Sequence, residues 1–276
     1  MRHLPLLLIP LTLLVVGCNR KPTVEFVPVS YYSDTMKTDI DSLNYSDGDD
    51  LVQFEINLML LQEDEKFPLL HSINNTVLTV ALANDYYTPD PSYSGSEAIQ
   101  HYCNTMHSAR VAAYQEHESG EEPWSFYIKA SPTLQTDKML SFVVTNEQYM
   151  GGAHGMHSAT YLHFSLATGN ELTIDSLFVW NPENHKAVEQ LIYEGIRQLC
   201  VDDTEGVYSL DDFIFTPDGT NIISNFMVNP ESLTFWFNPY DIAPYPLGGI
   251  GIEVPSYKLY DYLRKDAPLY LYWFKK

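Results

Sequence analysis

Three histidines, His154, His157 and His163, lie within ten residues of one another. Neutral imidazole binds zinc, and a three-ligand set leaves the open position at which a hydrolytic centre activates water. His157 and His163 would share a face with Tyr161 on a strand that begins by residue 157. The three-residue interval from His154 to His157, however, suits ligands on a helix. The segment YMGGAHGMH (149–157) instead enters a strand from a glycine-rich stretch, and no nearby carboxylate completes an HEXXH motif. Two readings follow. One is a metal-dependent envelope hydrolase using His154, His157 and His163. The other is a bend between antiparallel strands, in which Gly151 and Gly152 take positive φ or admit close backbone and His154 hydrogen-bonds at the sheet rim. Strand parity and the missing carboxylates favour the bend.

Other chemistries find less support. Cys103 and His107 are four apart on an expected helix and share a face, a spacing that core packing also produces. Neither Cys103 nor Cys200 has the basic or Gly-rich surroundings that lower a thiol pKa. A disulfide between them is left open. No GXSXG elbow, GXXXXGK[ST] or GXGXXG is present. The pairs Asp202-Asp203 and Asp211-Asp212 lie in polar loops, where adjacent side chains face different ways, so an acid/base pair is unsupported. No catalytic residue and no cofactor is assigned.

A second region, FWFNPYDIAPYPLGGIGIEVP (235–255), combines four prolines with tyrosines. Pro239, Pro244, Pro246 and Pro255 fix φ and remove donors, so a continuous central strand is excluded. Tyr240 and Tyr245 flank Pro244 on what must be an irregular loop. Such a loop either presents aromatic area to a ligand at low entropic cost or packs back on the sheet.

The elements that position these residues read as α+β. LVQFEINLML (51–60) suggests a strand. Two helices follow, the first with apolar Leu69, Ile73, Val77, Val80 and Ala81, the second from Ser96 as N-cap to before Gly120. The period then changes to two in WSFYIKA, MLSFVVTN and YLHFSL, which predicts an antiparallel meander with one buried face. Thr168-Gly169-Asn170 reads as a turn. DSLFV opens a helical region, NHKAVEQLIYEGIRQLC is an amphipathic helix, and NIISNFMVN, SLTFWFN and GIGIEVP are strands. SYKLYDYL is a short helix and PLYLYWF a closing strand. Helices and strands run in groups, which favours antiparallel sheets with helices on one face over a doubly wound sheet. Two closely associated subdomains are expected, 51–150 and 151–276.

The chain begins with the apolar run LPLLLIPLTLLVV (4–16), too short for the roughly 20 residues of a membrane span. The following Val-Gly-Cys resembles a bacterial lipobox. It implies a signal peptide at 1–18 and diacylation of Cys18, enough for stable membrane anchoring. The polar residues 19–50 read as a flexible acidic tether. The formal net charge is −21, which argues against nucleic acid and would steer a basic partner. The expected location is the bacterial cell envelope, with a membrane attached through Cys18.

Tyr149, Gly151-Gly152-Ala153-His154, the stretch FSLATGNELTIDSLF (164–178), YDIAPYPLG (240–248) and IEVP (252–255) together resemble one family. It is the extracytoplasmic domain of RsiV-like anti-sigma factors, also found beside the deacetylase domain of PdaC. The resemblance covers about residues 50–274. It implies an α+β fold and a non-catalytic binding or sensing role, with lysozyme the ligand in RsiV. The sequence has no sigma-binding segment to match that family's signalling, so ligand binding alone carries over. Lysozyme-like proteins or peptidoglycan-related glycans are the expected ligands, and Tyr149, Gly151, Gly152, His154, Tyr240, Pro244 and Tyr245 the candidate binding or structural motif.

Overall fold

The structure is a computed structural model and describes residues 24–32, 51–115 and 122–275. Cys18, Gly120 and most of the expected tether lie outside those residues.

A five-stranded sheet is built by β1 (Phe26–Tyr32), β2 (Val52–Leu61), β3 (Trp124–Gln135), β4 (Met139–Tyr149) and β5 (Met156–Ser165), in that order. Phe54, Ile56 and Leu58 of β2, Phe126 and Ile128 of β3, and Leu140, Phe142 and Val144 of β4 alternate onto one face and are buried. Against that face pack α1 (Pro68–Leu82) and α2 (Gly95–Gln115). In α1, Pro68 supplies the fixed φ of a first turn, and Leu70, Ile73, Val77, Leu78 and Ala81 form its buried stripe. Asn74 on the same stripe accepts from Leu61 N–H at 2.8 Å and donates to Leu61 C=O at 2.9 Å, ending β2 without an orphaned amide.

Three expectations change here. Residues 26–32, expected within a tether, form an edge strand paired antiparallel with β2; the alternation of Val27, Val29 and Tyr31 outweighs the polarity around them. The sheet is antiparallel apart from β2 and β3, which run parallel. That pair is the one joined through α1 and α2, and a parallel pair requires such a crossover. Helix α2 also starts at Gly95, one residue before the expected cap, so Ser96 lies inside it.

The second unit contains α3 (Ile174–Leu177), α4 (Pro182–Asp202), β6 (Phe226–Val228), β7 (Ser232–Phe237), β8 (Ile250–Pro255), α5 (Ser256–Leu259) and α6 (Pro268–Phe274). β6, β7 and β8 form an antiparallel sheet with its own core. Helix α4 lies close on β8 because residue 195 is glycine: a Cβ there would stand 2.4 Å from Ile252 Cγ2. The expected closing strand over PLYLYWF is helix α6. Pro268 opens it at its first turn, and Leu269, Tyr270 and Trp273 bury one helical face, a spacing that also fits alternation.

The units meet along the outer edge of β5, so this strand belongs to the first sheet and not to the second unit. Two asparagines complete its ladder in place of a sixth strand. Asn225 accepts from Tyr161 N–H at 2.9 Å and donates to Ala159 C=O at 2.8 Å. Asn238 accepts from Ala159 N–H at 2.8 Å and from Trp236 Nε1 at 3.0 Å.

Candidate functional site

The turn from β4 to β5 forms as its glycines predict. Gly151 and Gly152 have φ of 99° and 96°, where a side chain would be strained. Tyr149, at the end of β4, points across the turn; its hydroxyl donates to Glu122 Oε2 at 2.5 Å and lies 3.1 Å from Gly152 C=O. The hydrogen bond to Glu122, with burial adding to it, raises the phenol's pKa above its ordinary value, so Tyr149 is a donor at neutral pH. His154 Nδ1 donates to Gly155 C=O at 2.8 Å.

The proline-tyrosine loop meets this turn. Pro244 has φ of −59° and leads into a single 3-10 turn at Tyr245–Leu247. That turn lays the Tyr245 ring on the His154 imidazole, 3.9 Å between centroids and 20° between planes. Its hydroxyl donates to Gly155 C=O at 2.6 Å. His157 meets the same ring edge-on at 5.5 Å, and Tyr240 flanks it at 5.5 Å. Tyr240 is 55% exposed and has φ of 74°. Beside Tyr245, a cleft of about 210 Å³ is walled by Tyr127, Glu147, Tyr149 and His157. Of the motif residues, Tyr149, His154, Tyr240 and Tyr245 are thus brought together, while Gly151, Gly152 and Pro244 shape the backbone that carries them. The site offers aromatic faces beside the carboxylates of Glu122 and Glu147. That combination suits a cation or a polar ring that stacks.

Sequence reasoning missed Glu122, Tyr127 and Glu147. Glu147 is an outward position of β4, which ends in the motif, and Tyr127 an outward position of its neighbour β3, so strand parity could have found them. Glu122 precedes β3 and carried no signal.

The histidine set is not a metal centre. His163 is buried, and both its ring nitrogens are engaged: Nε2 lies 2.7 Å from Phe226 C=O and Nδ1 2.8 Å from Ser141 Oγ. A carbonyl can only accept, so the ring proton sits on Nε2, and Nδ1 accepts the Ser141 hydroxyl. Burial lowers the pKa of His163 to about 4, offset in part by the bond to Phe226. Among the described residues no group of three or more His, Cys, Asp or Glu is placed to hold a metal ion. Ser141 and His163 have the spacing of a nucleophile–base pair, yet both are sealed in the core. The pair fastens β4 and β5 to β6, with His163 stacked on Phe226 at 4.5 Å.

The remaining candidates are structural. Cys103 and Cys200 are free thiols, and burial pushes Cys103 up to about 12, which makes it unreactive. Asp203 accepts from the N–H groups of Glu205, Gly206 and Tyr208 and organises its loop. Asp212 closes a capping box with Ser209. No helix of the described residues is long and apolar enough to cross a membrane.

Residues 47–157 match the family model described as Deacetylase PdaC, and residues 175–257 the one described as Protein of unknown function (DUF3298). A DUF3298 family member from Bacteroides fragilis superposes with a TM-score of 0.72 at 19% identity, covering 90% of this chain and 97% of that one. A DUF3298 family protein from Pseudomonas aeruginosa gives a TM-score of 0.57 at 16% identity, covering 90% and 95%. No curated protein matches. The α+β arrangement in two units is therefore shared with these solved structures, and the two matched segments are similar, in order, to a PdaC domain and a DUF3298 domain, the resemblance to which the motifs pointed.

Proposed function

We propose that this protein is a lipid-anchored, non-catalytic binding protein of the bacterial cell envelope, and that it recognises a basic protein of the lysozyme type at the Tyr245 site. The observation that carries this reading is the convergence of the two motif loops. Tyr245, contributed by one loop, covers His154 of the other and lines a cleft with Glu147, His157 and Tyr149, the last of which is bonded to Glu122. Aromatic faces beside carboxylates attract Lys and Arg side chains, and the charge of −21 draws a cationic partner from a distance. Anchoring rests on the lipobox-like stretch ending in Cys18.

Calorimetric titration of the full chain in neutral detergent with lysozyme tests the reading. Heat that shrinks as salt rises is expected, because a Debye length of about 10 Å at 0.1 M screens the steering field. No heat at low or moderate salt removes the lysozyme-type ligand. Heat with soluble peptidoglycan fragments alone would make the ligand a glycan instead. Incorporation of labelled palmitate, lost in Cys18→Ser, tests the anchor; label retained in that variant overturns it.

A further inference from the structure

On the helix side of the first sheet lies a second cleft, of about 270 Å³. It opens between the end of α1 and the ends of β4 and β5, and shares only Gln148, Met156 and His157 with the Tyr245 cleft. Two of its lining residues, Asn146 and Gln148, carry buried amide oxygens with no hydrogen-bond partner, Asn146 Oδ1 and Gln148 Oε1. A buried unpaired acceptor destabilises a fold, so two of them side by side in a cleft mark a place where a donor is missing.

The surroundings say which donor. Helix α1 spans 15 residues, ends at this cleft and has no basic residue in its last turn, so the negative end of its dipole is not neutralised by its own side chains. Asp85 lies just beyond that end and also lines the cleft. Ser158 and Thr160 add hydroxyls from β5, while Val80, Met150 and Met156 supply apolar wall. Acceptors scattered around a negative helix end suit a compact group with several rotatable donors and no acceptor. An ammonium is that group. Guanidinium instead presents a rigid planar fork, which matches the paired oxygens of one carboxylate or phosphate and not single amide oxygens on two different side chains. The apolar wall would cover an aliphatic stem behind the charge, as lysine side chains are covered elsewhere.

We infer that this cleft is a lysine subsite, taking the ε-ammonium of a basic protein ligand against Asn146, Gln148 and the C-terminal end of α1. The inference rests on the proposal that the ligand is a basic protein, and extends recognition from one face of the sheet to both.

The test uses Nα-acetyl-lysine amide as probe on the full chain in neutral detergent, followed by the side-chain amide NMR signals of Asn146 and Gln148. Both signals should shift with the lysine probe and move at least five-fold less, at equal concentration, with Nα-acetyl-arginine amide. Gln148→Leu should weaken the probe about ten-fold, with a thermal midpoint equal to or above that of the parent. Gln148→Glu should tighten it. Asn146→Leu, at a residue that lines this cleft and not the other, should weaken the probe to a similar extent as Gln148→Leu. Unmoved amide signals, equal response to the arginine probe, or a shift only with N-acetylglucosamine oligomers would overturn the subsite. Probe binding without any lysozyme heat would retain the subsite and remove lysozyme as the ligand; the reverse result would do the opposite.

Discussion

Tyr245 lies flat on His154 and, through its hydroxyl, on the carbonyl of the next residue, Gly155. One side chain thereby pins the proline-tyrosine loop of the second unit to the β4–β5 turn of the first. The two contacts make separable contributions. Gly155 C=O also accepts from His154 Nδ1, so it stays paired if the phenol is lost. Tyr245→Phe should therefore cost under about 1 kcal/mol. Tyr245→Ala also removes the stacked ring from a partly buried site and should cost about 2–3 kcal/mol. Urea unfolding of the two variants measures the difference. In lysozyme calorimetry Tyr245→Phe should retain heat and Tyr245→Ala should lose it; equal loss in both would place recognition in the hydroxyl and not the ring.

Tyr240 is the non-glycine residue with positive φ among the described residues, at 74°. It sits in a turn closed by Asp241 N–H to Asn238 C=O at 3.0 Å, with Asp241 Oδ2 accepting from Asn238 N–H at 2.7 Å. A left-handed conformation in a residue with a Cβ costs roughly 1–2 kcal/mol, and such strain gathers at binding sites. Here it holds a half-exposed tyrosine beside Tyr245. Tyr240→Gly should raise unfolding free energy by about 1 kcal/mol, while weakening the proposed ligand several-fold. A variant less stable than the parent would show that the ring packs for stability and is not held out at a cost.

What the sequence disclosed, and what it hid, follows from the range of the forces involved. The helices over 68–82 and 182–202 and the strands bearing Phe126, Phe142 and Phe164 are set by local periodicity, so they were legible. Gly151 and Gly152 were legible for the same reason: positive φ is a property of one residue. The strand at 26–32 was hidden, because its reason to exist is the edge of β2, twenty and more residues away. The helix over 268–274 was hidden because L-Y-L-Y alternates as well as it winds, and only Pro268 and the packing of Trp273 decide. The three histidines had type and spacing in common but not environment. His154 and His157 stand at the surface beneath Tyr245, whereas His163 is enclosed by β6, an element more than sixty residues further on. The site itself depends on a contact between residues 154 and 245, and no local pattern encodes it.

Asn225 takes the place of a strand along the edge of β5. Its amide reproduces the donor-and-acceptor pair that a neighbouring backbone would offer to Tyr161 N–H and Ala159 C=O. Asn225→Ala leaves both groups without that partner at a partly buried junction, and should destabilise by about 2–3 kcal/mol, from two hydrogen bonds at about 1–1.5 kcal/mol each. The loss should be local before it is global. Amide exchange at Tyr161 should speed up far more than exchange at Phe142 in the sheet centre. Uniform acceleration at both would mean that Asn225 supports the fold as a whole and not the junction.

His163 gives the junction a pH dependence. The ring is neutral, enclosed, and wired between Ser141 Oγ and Phe226 C=O, and burial lowers its pKa to about 4 against an ordinary 6.5. The unfolded chain therefore takes up a proton at a higher pH than the folded one does. Above pH 6.5 both states are neutral here and the contribution to stability is fully present. Between 6.5 and 4 the unfolded state is protonated while the native state is not, so stability falls with pH; below 4 both are protonated and the loss levels off. The full span is on the order of 3 kcal/mol. His163→Gln cannot titrate. It should be less stable than the parent at pH 7, because Phe226 C=O and Ser141 lose a fitted partner, yet its stability should decline less steeply from pH 6.5 to 4. Urea midpoints across that interval for parent and variant make the comparison, and parallel curves would show that the acid sensitivity of the fold lies elsewhere than in this histidine.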